Sequence, residues 1–191
     1  MRQSSFSAIY DANVLYPAPL RSFLMYLALT GAYRAHWSEC IHNEWKRNLL
    51  KNDPARVRAD LDQISAAMDR AMPDALVTGY ESLIPGLKLP DAGDRHVVAA
   101  AIKCRASVIV TFNLKDFPKD VLANLGVEAV HPDEFIADIW DLDKAAVLEA
   151  ARKHRSSLLN PPFEAAAYLG MMLRQRLPQT VSLLSAFELL L

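Results

Sequence analysis

Five polar side chains, four of them carboxylates, fall at points of the sequence where a parallel sheet would gather them. They are Asp11, Glu44, Asp94, Asn113 and Asp116. The acids are not each matched by an adjacent Lys or Arg, so they would repel one another and raise each other's pKa values unless a cation were bound. Hard oxygen ligands of this kind suit Mg²⁺ or Mn²⁺. We therefore expect a site for metal-dependent phosphotransfer or hydrolysis.

Short strands alternate with helices over residues 6–130, and this alternation positions the five side chains. Strands are expected at residues 6–12, 33–37, 75–78, 107–111 and 127–130. Asp11 ends the first strand, Glu44 lies early in the helix after the second, and Asn113 follows the fourth. The pattern predicts an α/β fold with right-handed crossovers and a central parallel sheet covered on both faces. Ligands of such sheets bind outside the carboxyl ends of the strands.

Asp91 and Asp94 precede an apolar, alanine-rich helix that we expect to run to about Arg105. Asp91 is a candidate N-cap, and Asp94 would fall in the first turn, where the helix dipole favours a negative charge by about 0.3–1 kcal/mol. Alone, the two acids would be interpreted as capping residues. The acids at other predicted strand ends favour a shared site instead. The same capping logic predicts a helix that begins at Asp53-Pro54 and runs through Met72.

Length and composition set the bounds of the interpretation. The chain has 191 residues, of which 52% are hydrophobic and 23% charged, which is typical of a globular protein with a real core. A formal net charge of -1 gives no bulk argument for nucleic-acid binding, so any such surface must be local. Two cysteines without CxxC or Cys/His spacing argue against a disulfide framework or a zinc site. The sequence shows no signal peptide or membrane-span pattern, so we expect a cytoplasmic protein.

Strand signals end near Trp140, and helical patterns follow over residues 141–155, 163–176 and 178–191, with a break at Asn160-Pro161-Pro162. We therefore predict a domain over residues 1–139 and a helical C-terminal extension over residues 140–191. The apolar run of residues 182–191 is expected to pack onto the domain, onto a second copy or onto a partner.

Four segments of the sequence resemble the PIN-domain ribonucleases, specifically the VapC-type toxins of toxin–antitoxin pairs. They are residues 10–15 (YDANVL), 41–44 (IHNE), 91–101 (DAGDRHVVAAA) and 109–117 (IVTFNLKDF), and they occur in the family's order. The C-terminal part, with its NPP and LPQT segments, resembles an extension found on one VapC branch. The resemblance implies a PIN-like three-layer α/β/α fold and Mg²⁺- or Mn²⁺-dependent endonucleolytic hydrolysis of RNA phosphodiester bonds.

The resemblance also implies roles for individual side chains. The family's first three acids map onto Asp11, Glu44 and Asp94, which are the expected catalytic residues and metal ligands. Glu44 is expected either to bind metal or to orient the attacking water. The fourth acidic position holds Asn113, an amide, so Asp116 is the expected replacement ligand, and whether one or two ions bind stays open.

A further set of residues is expected to support the acids or the substrate. The supporting residues are Asn13, Asp91, Thr111 and Asn113, of which Asp91 is either an outer ligand or only a cap. The candidates for contact with the RNA backbone are Arg95, Lys115, Lys46 and Arg47, with a solvated helix face as the alternative. His42 and His96, which lie beside acids, are interpreted as hydrogen-bonding partners rather than catalytic groups. By resemblance, we expect a homodimer and a cognate antitoxin that covers the acidic cleft.

One competing function stays open at this point. A PIN-like domain that binds RNA or a partner without cleavage is compatible with Asn113 at an acidic position. A nucleotide-binding domain is disfavoured because the sequence lacks GxGxxG and GxxxxGK[ST] loops. An aspartyl phosphatase would need a second Asp two residues after Asp11, where Asn13 stands.

Overall fold

The structure is a computed structural model that describes residues 6–159 and 162–191. The described chain divides into two compact units. One contains residues 6–16 and 34–130, and the other contains residues 17–33 and 131–191. The predicted break at Asn160-Pro161-Pro162 falls mostly outside the described residues. The predicted domain boundary between residues 139 and 140 stays a prediction.

The first unit is built on a five-stranded sheet in which all pairs are parallel. Its strands are β1 (Ser7–Tyr10), β2 (Arg34–Ser38), β3 (Leu76–Val77), β4 (Val108–Val110) and β5 (Glu128–Val130). Their order is β3-β2-β1-β4-β5, so β1 lies in the centre. Ile9 of β1 pairs with His36 on one side and with Ile109 on the other. The predicted parallel sheet is confirmed.

Ten α-helices occur in the described chain. They are α1 (Ala12–Leu15), α2 (Ala18–Leu29), α3 (Glu39–Asn52), α4 (Arg58–Ala71), α5 (Arg95–Cys104), α6 (Lys119–Ala123), α7 (Pro132–Leu142), α8 (Lys144–Ser157), α9 (Ala165–Arg174) and α10 (Pro178–Ser185). Short 3₁₀ turns lie at Glu81–Gly86, Ala92–Asp94, Leu114–Asp116 and Glu188–Leu190. None of these described helices is long and apolar enough to span a membrane.

The core of the sheet unit explains why its central strands are apolar. Every residue of β1 and β4 is buried, as expected of parallel strands covered on both faces. Helix α5 contacts β1, β2 and β4, and α3 contacts β2. The α5 side chains from Val97 to Ala101 are completely buried, and the small alanines allow the helix to approach the sheet closely.

Two predicted helix starts are wrong. Asp53 does not begin a helix, because its backbone N–H donates to the carbonyl of Leu49 and closes α3. The next helix, α4, begins only at Arg58, after an exposed connection. The long helix predicted from Asp91 also starts later: Asp91 caps a 3₁₀ turn by accepting from the N–H of Gly93, and α5 begins at Arg95.

The second unit is helical, as predicted for the C-terminal part. Within it, α8 packs against α2 and α7, and α10 packs against α7 and α9. Asp133, only 2% exposed, holds the start of α10 by accepting 2.8 Å bonds from the N–H groups of Gln179 and Thr180 and from the Thr180 hydroxyl. A negative charge also suits the N-terminal ends of α7 and α10. The α/β class with a helical C-terminal region is thus confirmed.

Candidate active site

Asp11 stands at the end of the central strand β1 and is held by three donors. The carboxylate is 4% exposed. The N–H of Ala12 donates to Oδ1 at 2.6 Å, and the Asn13 amide donates to Oδ2 at 2.6 Å. The Thr111 hydroxyl donates to the same Oδ2 at 2.7 Å from the end of β4. Because β1 and β4 are parallel neighbours, their carboxyl ends meet and bring these residues together.

The hydrogen bonds around Asp11 form a closed network. Asn13 donates its second N–H to the Thr111 oxygen at 2.9 Å, and that oxygen also accepts from the N–H of Asn113 at 2.9 Å. The side-chain Oδ1 of Asn13 accepts from the backbone N–H of Phe112 at 3.0 Å. Each polar atom has a partner, so the rotamers of Asp11, Asn13 and Thr111 are fixed together.

The pKa of Asp11 is raised to about 6, chiefly by burial and also by the negative charge of Glu44. The hydrogen bond from Thr111 acts in the opposite direction because it favours the ionised form. The hydrogen-bond donors of Asp11 therefore offset only part of the free-energy cost of burying its ionised carboxylate. A bound cation would offset the remainder.

Asp94 lies at the entrance to α5 and lacks the contacts that Asp11 has. Its side chain makes no capping hydrogen bond, and within the described residues its buried Oδ2 atom has no hydrogen-bond partner. The pKa of Asp94 is raised to about 7 by burial, which is the largest cause, and by the charges of four other acids. They are, in decreasing order, Asp11, Asp91, Asp116 and Glu44. The acids predicted from the sequence thus lie close enough to Asp94 for their charges to raise its pKa.

Two further acids have neighbours that orient them. The Nε2 atom of His96, on α5, lies 3.2 Å from Oε2 of Glu44, on α3. The Asn113 amide donates to Oδ2 of Asp116, in the turn after β4. The amide at the family's fourth acidic position therefore holds the nearby carboxylate.

The predicted cationic residues differ in availability. Arg47 and Lys115 are exposed, and Arg95 is half-buried. The Nε atom of Arg95 is buried and, among the described residues, has no partner. Lys46 is different: it is 3% exposed, and its ammonium contacts Asp62 at 2.9 Å and Ser65 at 3.1 Å. Asp62 itself is half-exposed and also contacts Arg58, and the predicted contact of Lys46 with RNA stays a prediction.

The acids fit a divalent cation by their chemistry. Within residues 6–159 and 162–191, no three Asp, Glu, His or Cys side chains already stand together at metal-ligand spacing. The carboxylates are close enough to act on each other's pKa, however, and the unpartnered Oδ2 of Asp94 is a hard oxygen donor without a proton donor. These observations match a site that a hard cation would complete.

Comparison with known proteins identifies the family. The family model described as "PIN domain" matches residues 7–115, which is more than half of the chain. The chain belongs to the PIN-domain family. A second family model, "VapC50 C-terminal domain", matches residues 132–186. The PIN match includes Asp11, Glu44, Asp94 and Asn113, whereas Asp116 lies just beyond it.

One curated relative is similar to this PIN-domain chain. It is "Putative ribonuclease VapC50" from Mycobacterium tuberculosis (strain ATCC 25618 / H37Rv), which is 36% identical over 115 residues. The aligned region covers 60% of this chain and 67% of the relative. No solved structure matches.

Sequence reasoning identified the acids but not all of their partners. Thr111 and Asn13 were expected to support the site, and they do contact Asp11. The contact between His96 and Glu44 links residues 52 positions apart. The signal available in the sequence was the position of His96, two residues after Asp94 and directly before the apolar run of residues 97–102.

Proposed function

We propose that this PIN-domain protein is a divalent-metal-dependent endoribonuclease and the toxin of a type II toxin–antitoxin pair. The observation that carries the proposal is the state of Asp94, whose buried oxygen has no partner and whose pKa is raised to about 7 by burial and by surrounding acids. A hydrolase that needs Mg²⁺ or Mn²⁺ requires such an electronegative site. The relative named as a ribonuclease supports RNA as the substrate.

In this proposal Asp11, Glu44, Asp94 and Asp116 hold the metal, and the first three are the catalytic acids. A divalent ion supplies Lewis acidity to water and to the phosphodiester. Asp11 enters the site in a fixed rotamer because Thr111 and two other donors hold it. Glu44 binds the ion or orients the attacking water.

Four residues support the acids. Asn13 and Thr111 fix the direction of Asp11, and Asn113 fixes the direction of Asp116. Asp91 is exposed and occupied with its own cap, so its proposed contribution is limited to negative charge near Asp94.

The RNA backbone is proposed to contact Arg95, Lys115 and Arg47. Arg95 is the strongest candidate because it directly follows Asp94 in the chain and its side chain is only half-buried. A guanidinium can bind a phosphate through two parallel hydrogen bonds. Lys46 is the weakest candidate, because its side chain is buried and its ammonium already contacts Asp62.

The partners follow from the same proposal. A toxin needs an antitoxin that covers the acidic site, and a basic side chain among the acids would compete with the metal. We also propose a homodimer, and a cytoplasmic location because the substrate is RNA. Light scattering on the purified chain tests the dimer directly.

The decisive experiment is cleavage of a long single-stranded RNA by the purified full chain in Mg²⁺, in Mn²⁺ and in EDTA. Asp11→Asn and Asp94→Asn should each remove most activity, whereas Asp120→Asn, a change at an exposed acid on α6, should not. Equal cleavage in EDTA, or full activity of Asp94→Asn, would overturn the proposal.

The second candidate function is RNA or partner binding without cleavage. Asn113 at the fourth acidic position favours it, because that position has lost its own charge. A protein of this kind would retard the RNA in a gel under all metal conditions and leave it intact. The same experiment therefore separates the two functions.

A further inference from the structure

The contact between His96 and Glu44 is the feature that the proposed mechanism does not yet use. Glu44 is 27% exposed and lies on α3, and His96 is 11% exposed and lies on α5. Their side chains meet at 3.2 Å, between Nε2 and Oε2. In the described parts of the chain, this is the hydrogen bond that the Glu44 carboxylate makes. Glu44 therefore depends on His96 for its direction.

The direction of the bond follows from the chemistry of the two groups. An ionised carboxylate has only acceptor sites, so His96 Nε2 carries the hydrogen and donates it. The other ring nitrogen, Nδ1, is buried and has no partner among the described residues. Of the two ring nitrogens, Nε2 thus donates to Glu44, and Nδ1 makes no hydrogen bond within the described residues.

Packing does not explain a histidine at this position. Val97 and Val98 follow on the same helix and are completely buried, and an apolar side chain would avoid a buried nitrogen without a partner. The benefit of the ring therefore lies in the bond to Glu44. Glu44 has several rotatable bonds and faces the negative charges of Asp11 and Asp94. Without a donor, it would turn toward solvent.

We propose that His96 is a positioning residue that holds the Glu44 carboxylate toward Asp11 and Asp94. This inference rests on the proposed function, in which Glu44 serves the metal or the attacking water. His96 acts through Glu44 and does not itself contact the metal or the RNA. Removing such a partner of a ligand commonly lowers metal affinity or activity by about 10- to 100-fold.

The test compares two amides at position 96 in the full chain. In His96→Gln the amide nitrogen lies about as far along the side chain as Nε2 and can still donate to Glu44. In His96→Asn it lies closer to the backbone, near the place of Nδ1, and cannot reach. His36→Asn is the matched control, because His36 also has a buried Nδ1 without a described partner and is not in contact with the acids.

Mn²⁺ affinity, measured by calorimetric titration, and RNA cleavage are the readouts. We expect His96→Asn to weaken Mn²⁺ binding by about 10- to 100-fold and to lower kcat with little change in KM for RNA. His96→Gln should recover most of both, and His36→Asn should match the wild type. In a Glu44→Ala background, His96→Asn should cause no further loss of Mn²⁺ affinity.

The outcomes separate this inference from the function on which it rests. If the wild type binds Mn²⁺ and cleaves RNA but folded His96→Asn equals it, the role of His96 is overturned and the proposed function stands. An equal loss from His96→Asn with and without Glu44 also overturns that role. If the wild type neither binds Mn²⁺ nor cleaves RNA, the proposed function itself fails.

A metal-free measurement covers the case in which His96→Asn does not fold. The ¹⁵N shifts of the His96 ring should show hydrogen on Nε2 in the wild type and should change in Glu44→Ala. Unchanged shifts would refute the hydrogen bond.

Discussion

Replacing Asp94 by Asn should stabilise the metal-free protein while it removes activity. The folded chain raises the pKa of Asp94 from 3.8 to about 7. One pKa unit corresponds to about 1.4 kcal/mol, so the shift sets a ceiling of about 4 kcal/mol on the gain from removing the charge. The side chain is half-buried, and solvent screens part of the repulsion. We therefore expect a gain of about 1–2 kcal/mol, or about 3–6 °C in Tm for a chain of this size.

The pH dependence gives this prediction a sign that can be checked. Because folding raises the pKa of Asp94, the stability from its protonated form is complete below pH 3.8 and is lost as the pH rises through about 7. The Tm difference between Asp94→Asn and the wild type should thus be small near about pH 4 and largest near about pH 8. Acids common to both proteins, such as Asp11, titrate in each.

Thermal unfolding followed by circular dichroism in EDTA measures the difference, with Asp120→Asn as the control for an exposed acid. Saturating Mg²⁺ should reverse the order, because the ion stabilises the wild type and finds one ligand fewer in Asp94→Asn. If Asp94→Asn is no more stable than the wild type at high pH in EDTA, burial and the neighbouring acids do not destabilise the ionised form of Asp94.

Two further perturbations test other contacts. Thr111→Val should lower the unfolding free energy by about 1–3 kcal/mol and raise the pKa of Asp11 further above its ordinary value, so that Mn²⁺ binding requires a higher pH. Thr111→Ser, which keeps the hydroxyl, should leave the pH dependence unchanged. Calorimetric titration of Mn²⁺ at several pH values measures this, and an unchanged pH profile in Thr111→Val contradicts it. Asp133→Ala should lower the unfolding free energy by about 2–4 kcal/mol, because it leaves two buried donors of Thr180 and the partly buried N–H of Gln179 without an acceptor. Asp141→Ala, at an exposed position, should have little effect in the same denaturant titration.

The sequence was sufficient for the sheet because its signals are local. The β-branched run before Thr111 and the run before Asp11 predict strands, and both segments are buried strands. Helix starts were harder, because an N-cap side chain favours a helix start and does not determine the backbone bonds of the same residue. Asp53 has the side chain of an N-cap, yet its backbone closes α3. Only the tertiary structure decides between the two.

The candidate site was predictable in its acids and not in its hydrogen bonds. The order of the acids along the chain pointed to Asp11, Glu44 and Asp94. The burial of Lys46 depends on Asp62, an acid on another helix, and no spacing rule reveals that pair. The bond between Asn113 and Asp116 is local, but the conformation of the 3₁₀ turn that allows it is not encoded by periodicity.

The central place of β1 in the sheet has a consequence for synthesis. Asp11 is made before its partner Thr111, which is 100 positions later in the chain. Domains fold as units while they emerge, so β1 stays half-paired until β4 arrives beside it. The acidic site therefore cannot assemble until the segment that carries β4 has been made and has joined β1.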